Sequence, residues 1–151
     1  VHIHPQCIIH SMVEYIDGSI IAQMAIPDMR GPIAYALSYP RRMNLRLPAL
    51  DLFEKGPLTF HPVEAERFPA LGLAYRALEE GGTMPAVLNG ANEVAVEAFL
   101  RGQLKFSQIP ALIRKTMDQH HPVRLKGIAD VLAAHAFSQE QARQMIERGD
   151  L

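Results

Sequence analysis

A chain of 151 residues with 48% hydrophobic side chains can bury one sizeable core, or a small subdomain beside a larger one, and nothing in it reads as disordered. With 15 basic against 16 acidic side chains, a formal net charge of -1 and no block of like charge, it carries no electrostatic footprint for nucleic acid, so an anionic ligand must be met by a local site. A lone Cys7 excludes an internal disulfide, and no apolar run has the length of a membrane span or the pattern of a signal peptide, which points to the cytoplasm or, after removal of a transit peptide, to a plastid-like compartment.

The chain opens without an initiator Met in a β-type run. From Ile8 to Ile16 alternate residues share a strand face, with Ile8, His10, Met12, Glu14 and Ile16 on one side. Asp17-Gly18 supplies a two-residue hairpin turn, which sets Ile16 opposite Ser19, Val13 opposite Ala22 and His10 opposite Ala25. A bulge would shift this register by one. The open end of the hairpin then gathers Cys7, His10, Pro27, Asp28 and Met29.

Asp28 can cap a short helix that has Pro32 in its first turn, runs through Leu37 and stops at Tyr39-Pro40. Prolines at 40, 48, 57 and 62 break every helix from there to about Glu64, which leaves an extended linker held to a surface by residues such as Leu45, Leu47, Leu58 and Phe60. The remainder is helical. Phe68 to Glu80 stops at Gly81-Gly82, Pro85 to Leu100 carries an apolar stripe, and Ser107 caps a third helix to about Met117, closed by His120-His121-Pro122. Ile128 to Ala134 and Gln139 to Arg148 make two more, the second opened by the capping-box pattern Ser138-x-x-Gln141. The fold class is α+β: a hairpin, a short helix, an extended linker and a C-terminal helical bundle.

Few residues carry chemistry. His2 and His4, with His10 as a third imidazole, have strand spacing compatible with a metal site, but a surface or hydrogen-bonded pair is the commoner outcome. Cys7 and His10 could be a thiolate and its base, yet their spacing on a strand throws them to opposite faces. His120-His121 reads as a helix end where imidazoles meet the negative pole. In "LNGANE", Asn89 and Asn92 lie in an apolar helix, where tying the helix to a neighbouring loop is favoured over ligand contact. No glycine-rich dinucleotide fingerprint or P-loop occurs.

At "HPQCIIHSMVEY", "DGSIIAQM", "PDMRGPI" and "LNGANEVAVEAFL" the sequence resembles the 1-deoxy-D-xylulose 5-phosphate reductoisomerase family, over essentially its whole length but only over that family's C-terminal part. The resemblance implies three regions: residues 1–38 as the end of the central catalytic domain, 39–64 as the linker and 65–151 as the C-terminal helical domain. It implies an NADPH-dependent conversion of 1-deoxy-D-xylulose 5-phosphate to 2-C-methyl-D-erythritol 4-phosphate in non-mevalonate isoprenoid biosynthesis, with Mg or Mn as Lewis acid and a homodimeric assembly. The family's Asp-x-Glu and Glu metal ligands, its Ser, Asn and Lys phosphate cluster and its cofactor domain all lie upstream of the part resembled. The chain alone is therefore expected to be inactive and, with the hairpin's apolar edge uncovered, to self-associate.

Four residues inherit roles from the resemblance. His10 matches a histidine over the substrate, and Cys7 stands where the family usually has the Ser of "HPQS". Pro27 and Met29 match residues on the nicotinamide side of the pocket. Gly31 replaces a common Thr, Ala25 a common Gly and Gly90 the usual Ala of "LNAANE". Two other readings stand beside this one: a non-catalytic helical binding or oligomerisation module, and a metal protein using His2, His4 and His10.

Overall fold

Alternating β-branched residues on either side of Asp17-Gly18 form the hairpin that the sequence implies, but with a different turn. In the computed structural model, which describes residues 1–150, Ile9–Glu14 (β1) pairs antiparallel with Ile20–Met24 (β2). Val13 lies opposite Ile21 and Met12 opposite Ala22, one position away from the expected register. The reason is a three-residue loop: Gly18 takes a φ of +81°, its N–H donates to Tyr15 O at 2.9 Å, and Tyr15 N–H donates to Ser19 O at 2.9 Å. The Asp17 carboxylate closes the loop by accepting from the Ser19 N–H. A second irregularity falls between Ile9 and Ser11, so His10 is the bulged residue.

Asp28 acts at the start of Arg30–Ser38 (α1) as expected, its carboxylate accepting the Arg30 N–H at 2.9 Å. The proline-broken segment that follows is not wholly without helix. Between Pro48 and Pro57 there is room for one turn, Leu52–Lys55 (α2), which forms because Asp51 accepts from Phe53 and Glu54 N–H groups and Gly56 ends it at a φ of +68°. The segment then returns along the chain's start. Ile3 and His61 exchange backbone hydrogen bonds at 2.9 Å, His4 Nδ1 lies 2.9 Å from Thr59 O, and Gln6 bonds both Pro57 O and Thr59. These contacts all lie within one compact unit, Val1–Val63.

The second unit, Glu64–Leu151, is helical through its described residues. Pro69–Glu80 (α3), Met84–Leu100 (α4), Ile109–Asp118 (α5) and Ile128–Arg148 (α6) surround a core in which Met84, Val87, Ala91, Ala95, Leu112 and Met117 are fully buried. Each large side chain among them contributes about 1.5–3 kcal/mol by leaving water. α4 is the central helix, in contact with α3, α5 and α6. None of the described helices is long and apolar enough to cross a membrane.

Two helices differ from the sequence expectation. Ser107 does not cap α5; it sits in a single 3-10 turn, Phe106–Gln108, in which the Gln108 side chain accepts the Lys105 N–H at 2.8 Å. Nor do residues 128–148 form two helices. No Gly or Pro interrupts the stretch, and Ser138, instead of capping a new helix, is fully buried and donates its hydroxyl back to His135 O at 2.8 Å. The true start is at Gly127, where Asp130 accepts from Lys126 and Gly127 N–H groups, and the true end is Gly149 in the left-handed region at φ +70°.

The histidine and asparagine motifs turn out to be structural. His120 leaves the helix end and places Nε2 2.7 Å from the hydroxyl of Thr83, which is buried and also accepts the Val123 N–H. Burial, and secondarily the neighbouring His121, push the His120 imidazole below its ordinary range, while Glu80 opposes them. The Thr83 hydroxyl and His120 Nε2 share this hydrogen bond while the ring is held toward its neutral form. In "LNGANE", Asn89 donates to Glu93, whose other carboxylate oxygen accepts from Gln139 at 3.0 Å and lies 3.4 Å from His135 Nε2. The motif ties α4 to another helix rather than to a loop.

Candidate functional site

The open end of the hairpin forms one wall of a cavity of about 600 Å³. His10, Pro27, Asp28 and Met29 line it, as the hairpin reading expects, and Tyr35 of α1 with Arg42 and Leu45 of the following segment complete it. Cys7 does not line it. That residue is exposed, holds a φ of +50° and donates its N–H to His4 O at 3.1 Å in the turn preceding β1.

The bulge determines how His10 is presented. As the extra residue it has no ladder partner, and its Nε2 lies 3.2 Å from Ala25 O. A carbonyl can only accept, so Nε2 carries a proton, and Nδ1 is the ring nitrogen left to meet a ligand. The predicted proximity of His10 to Ala25 therefore exists, but through the side chain and not through strand register.

Asp28 is not a free acid or base. Its carboxylate makes a forked pair with the Arg30 guanidinium, at 3.0 Å to Nε and 2.6 Å to Nη2. The Arg30 side chain first, and the Arg30 N–H second, hold it down to about 2, so it is ionised and engaged at any physiological pH. Pro27 and Met29 flank it with apolar surface, Met29 being 71% exposed and so available to a ligand. The far wall carries no motif that marks it in the sequence. Tyr35 and Arg42 stack there, with the guanidinium carbon 4.5 Å from the ring centroid. The signal was present in part, since a proline-broken segment that keeps Leu45 and Leu47 must cover something.

The histidine metal reading does not survive. His4 stacks on Phe60 at 4.9 Å and bonds Thr59 O, His2 meets the edge of Phe60, and His10 is committed to Ala25 O. Among the described residues no three His, Cys, Asp or Glu side chains are placed to hold a metal ion. What the cavity offers is an apolar wall, one imidazole and one stacked guanidinium: surface for a flat ring, and directed contacts for hydroxyl and anionic groups.

The sequence profile described as the DXP reductoisomerase C-terminal domain matches residues 24–144. The 1-deoxy-D-xylulose 5-phosphate reductoisomerase of Trichlorobacter lovleyi is 60% identical over 145 residues, which is 96% of this chain and 37% of the relative. That of Geotalea daltonii is 53% identical over 97% of this chain and 38% of its own length. Among solved structures, the reductoisomerase from Zymomonas mobilis in complex with NADPH superposes with a TM-score of 0.88 at 43% identity, covering 97% of this chain and 39% of that one. A DOX-P reductoisomerase in complex with NADPH, fosmidomycin and magnesium gives 0.84 at 35% identity, covering 97% and 38%. The chain thus spans about two-fifths of the length of the proteins it matches.

Proposed function

The chain belongs to the DXP reductoisomerase C-terminal domain family, and from that premise we propose that it is part of an NADPH-dependent enzyme converting 1-deoxy-D-xylulose 5-phosphate to 2-C-methyl-D-erythritol 4-phosphate in non-mevalonate isoprenoid biosynthesis. In this reading residues 1–38 close the catalytic domain, 39–64 link, and 65–151 form the helical domain of a cytoplasmic homodimer. The observation that carries it is the shared cavity of His10, Pro27 and Met29.

NADPH, when bound, supplies the hydride that reduces the rearranged aldehyde. This chain's own contribution is placement. Pro27 and Met29 would hold the nicotinamide against an apolar wall and exclude water from the transfer. His10, its ring oriented by the Nε2 contact with Ala25 O, hydrogen-bonds a substrate hydroxyl through Nδ1. Cys7, exposed before β1, is the second substrate-side residue of this reading, although it stands outside the cavity wall. The Mg or Mn that the family resemblance implies finds no fitting ligand set among the described residues.

A chimera tests the proposal. The corresponding two-fifths of the Trichlorobacter lovleyi reductoisomerase is replaced by this chain, and NADPH oxidation is followed with 1-deoxy-D-xylulose 5-phosphate and Mn. The chimera is expected to turn over, His10→Ala within it to lose at least about tenfold in kcat/KM, and the 151-residue chain alone to show none. A folded but inactive chimera, or turnover by the chain alone, would overturn the reading.

A further inference from the structure

The charged groups around the cavity are not balanced. Asp28 faces it, but its carboxylate is consumed by Arg30. Arg42 also lines it and makes no ion pair with any described residue. Its guanidinium is instead held over the Tyr35 ring at 4.5 Å. A guanidinium fixed by its face keeps its N–H donors at its edge, in the forked arrangement that matches phosphate or carboxylate oxygens. A cation presented in this way beside an apolar wall is a receptor for a ligand that carries both a flat apolar ring and an anionic oxygen group.

We propose that Arg42, positioned by Tyr35, is a specificity-determining residue of the cavity that recognises a phosphate group of its ligand. The inference rests on the reductoisomerase reading for the ligands themselves. Both the dinucleotide and the sugar phosphate carry phosphate. The dinucleotide is favoured, because Pro27 and Met29 share the cavity with Arg42 while the family resemblance assigns the sugar phosphate to a cluster outside this chain.

The test is an NMR titration of the 151-residue chain with NADPH, with 1-deoxy-D-xylulose 5-phosphate and with inorganic phosphate, each in turn. The Arg42 Hε, the Tyr35 ring protons and the Met29 methyl are followed together. NADPH is expected to shift all three saturably, Arg42→Gln to weaken the apparent Kd at least about tenfold, and Arg42→Lys, which keeps charge but not the fork, to recover only part of it. If the sugar phosphate alone shifts Arg42, the phosphate assignment holds and its source is the substrate. If Met29 shifts while Arg42 is silent and Arg42→Gln binds within twofold of the parent, the proposal fails and the reductoisomerase reading stands. If no ligand shifts any of the three, the proposal fails while the chimera above still decides the reading. Arg42 shifts produced equally by inorganic phosphate and by both ligands, with Met29 unmoved, would mean nonspecific anion binding and also overturn it.

Discussion

Gly90 on α4 and Ser138 on α6 meet so closely that a Cβ at position 90 would overlap the Ser138 hydroxyl and lie 2.8 Å from the His135 carbonyl oxygen. Gly90 is therefore required by the helix crossing, not tolerated by it. Gly90→Ala gains about 1 kcal/mol of helix propensity but forces α6 outward. A net destabilisation of about 1–3 kcal/mol is expected, read as a lower urea midpoint by circular dichroism. Adding Ser138→Ala should recover part of the loss, since one of the two obstructing atoms is gone. Additive costs in the double variant would refute the contact.

The His120 latch makes stability depend on pH. The folded ring binds its proton less readily than the unfolded one, whose pKa is near the ordinary 6.5. The contribution is therefore complete above that value and is lost as pH falls through it toward the lower folded value. The facing groups are His121, which adds to the effect, Glu80 of α3, which opposes it, and on α6 the uncharged Phe137 ring 5.6 Å away. Unfolding curves for the parent and His120→Gln at a series of pH values should differ in slope below neutrality. Parallel pH profiles would show that the latch does not titrate.

Val13 and Ile21 are cross-strand partners that stand 56% and 62% exposed on the hairpin. Apolar surface of this kind favours association, so sedimentation velocity at tens of micromolar should reveal species larger than the monomer. Replacing the pair as Val13→Lys with Ile21→Glu keeps a cross-strand attraction and removes the apolar contact. The doubly substituted chain is expected to sediment as a monomer; association unchanged in it would locate the contact elsewhere.

Gln6 bridges the chain's start to residues 57–59 through both its amide nitrogen and its oxygen. Gln6→Leu leaves the Thr59 N–H without that acceptor, at a cost of about 1 kcal/mol for an exposed bond. Hydrogen exchange at Thr59 should speed up several-fold while the core amides of α4 are unaffected. An unchanged Thr59 rate would show that the return segment is held by Ile3 and His4 alone.

Local rules made much of the fold legible. Pro69 and Gly81 bracket α3, the apolar stripe marks α4, and Asp28 initiates α1, because each of these signals acts within a few residues. The errors came where a tertiary contact overrides a local pattern. Ser138-x-x-Gln141 resembles a cap, yet burial against Gly90 keeps the serine inside a continuous helix. Asp17-Gly18 signals a tight turn, but not whether two or three residues form it. At the cavity the hairpin side, His10, Pro27 and Met29, was readable from spacing. The Tyr35 and Arg42 side was not, because it depends on where a segment without regular structure folds back.

The continuity of α6 affects how the helical unit comes apart. At 21 residues it is roughly 31 Å long by the α-helical rise, and it packs on both α4 and α5. Two shorter helices joined at Ser138 would have put a hinge in the unit, so that one end could open while the other stayed docked. A single rod with its midpoint wedged against α4 has no such halfway state. The C-terminal unit should open as one foldon, with the protection of α6's central amides set by the free energy of losing the whole bundle rather than by fraying from the chain end.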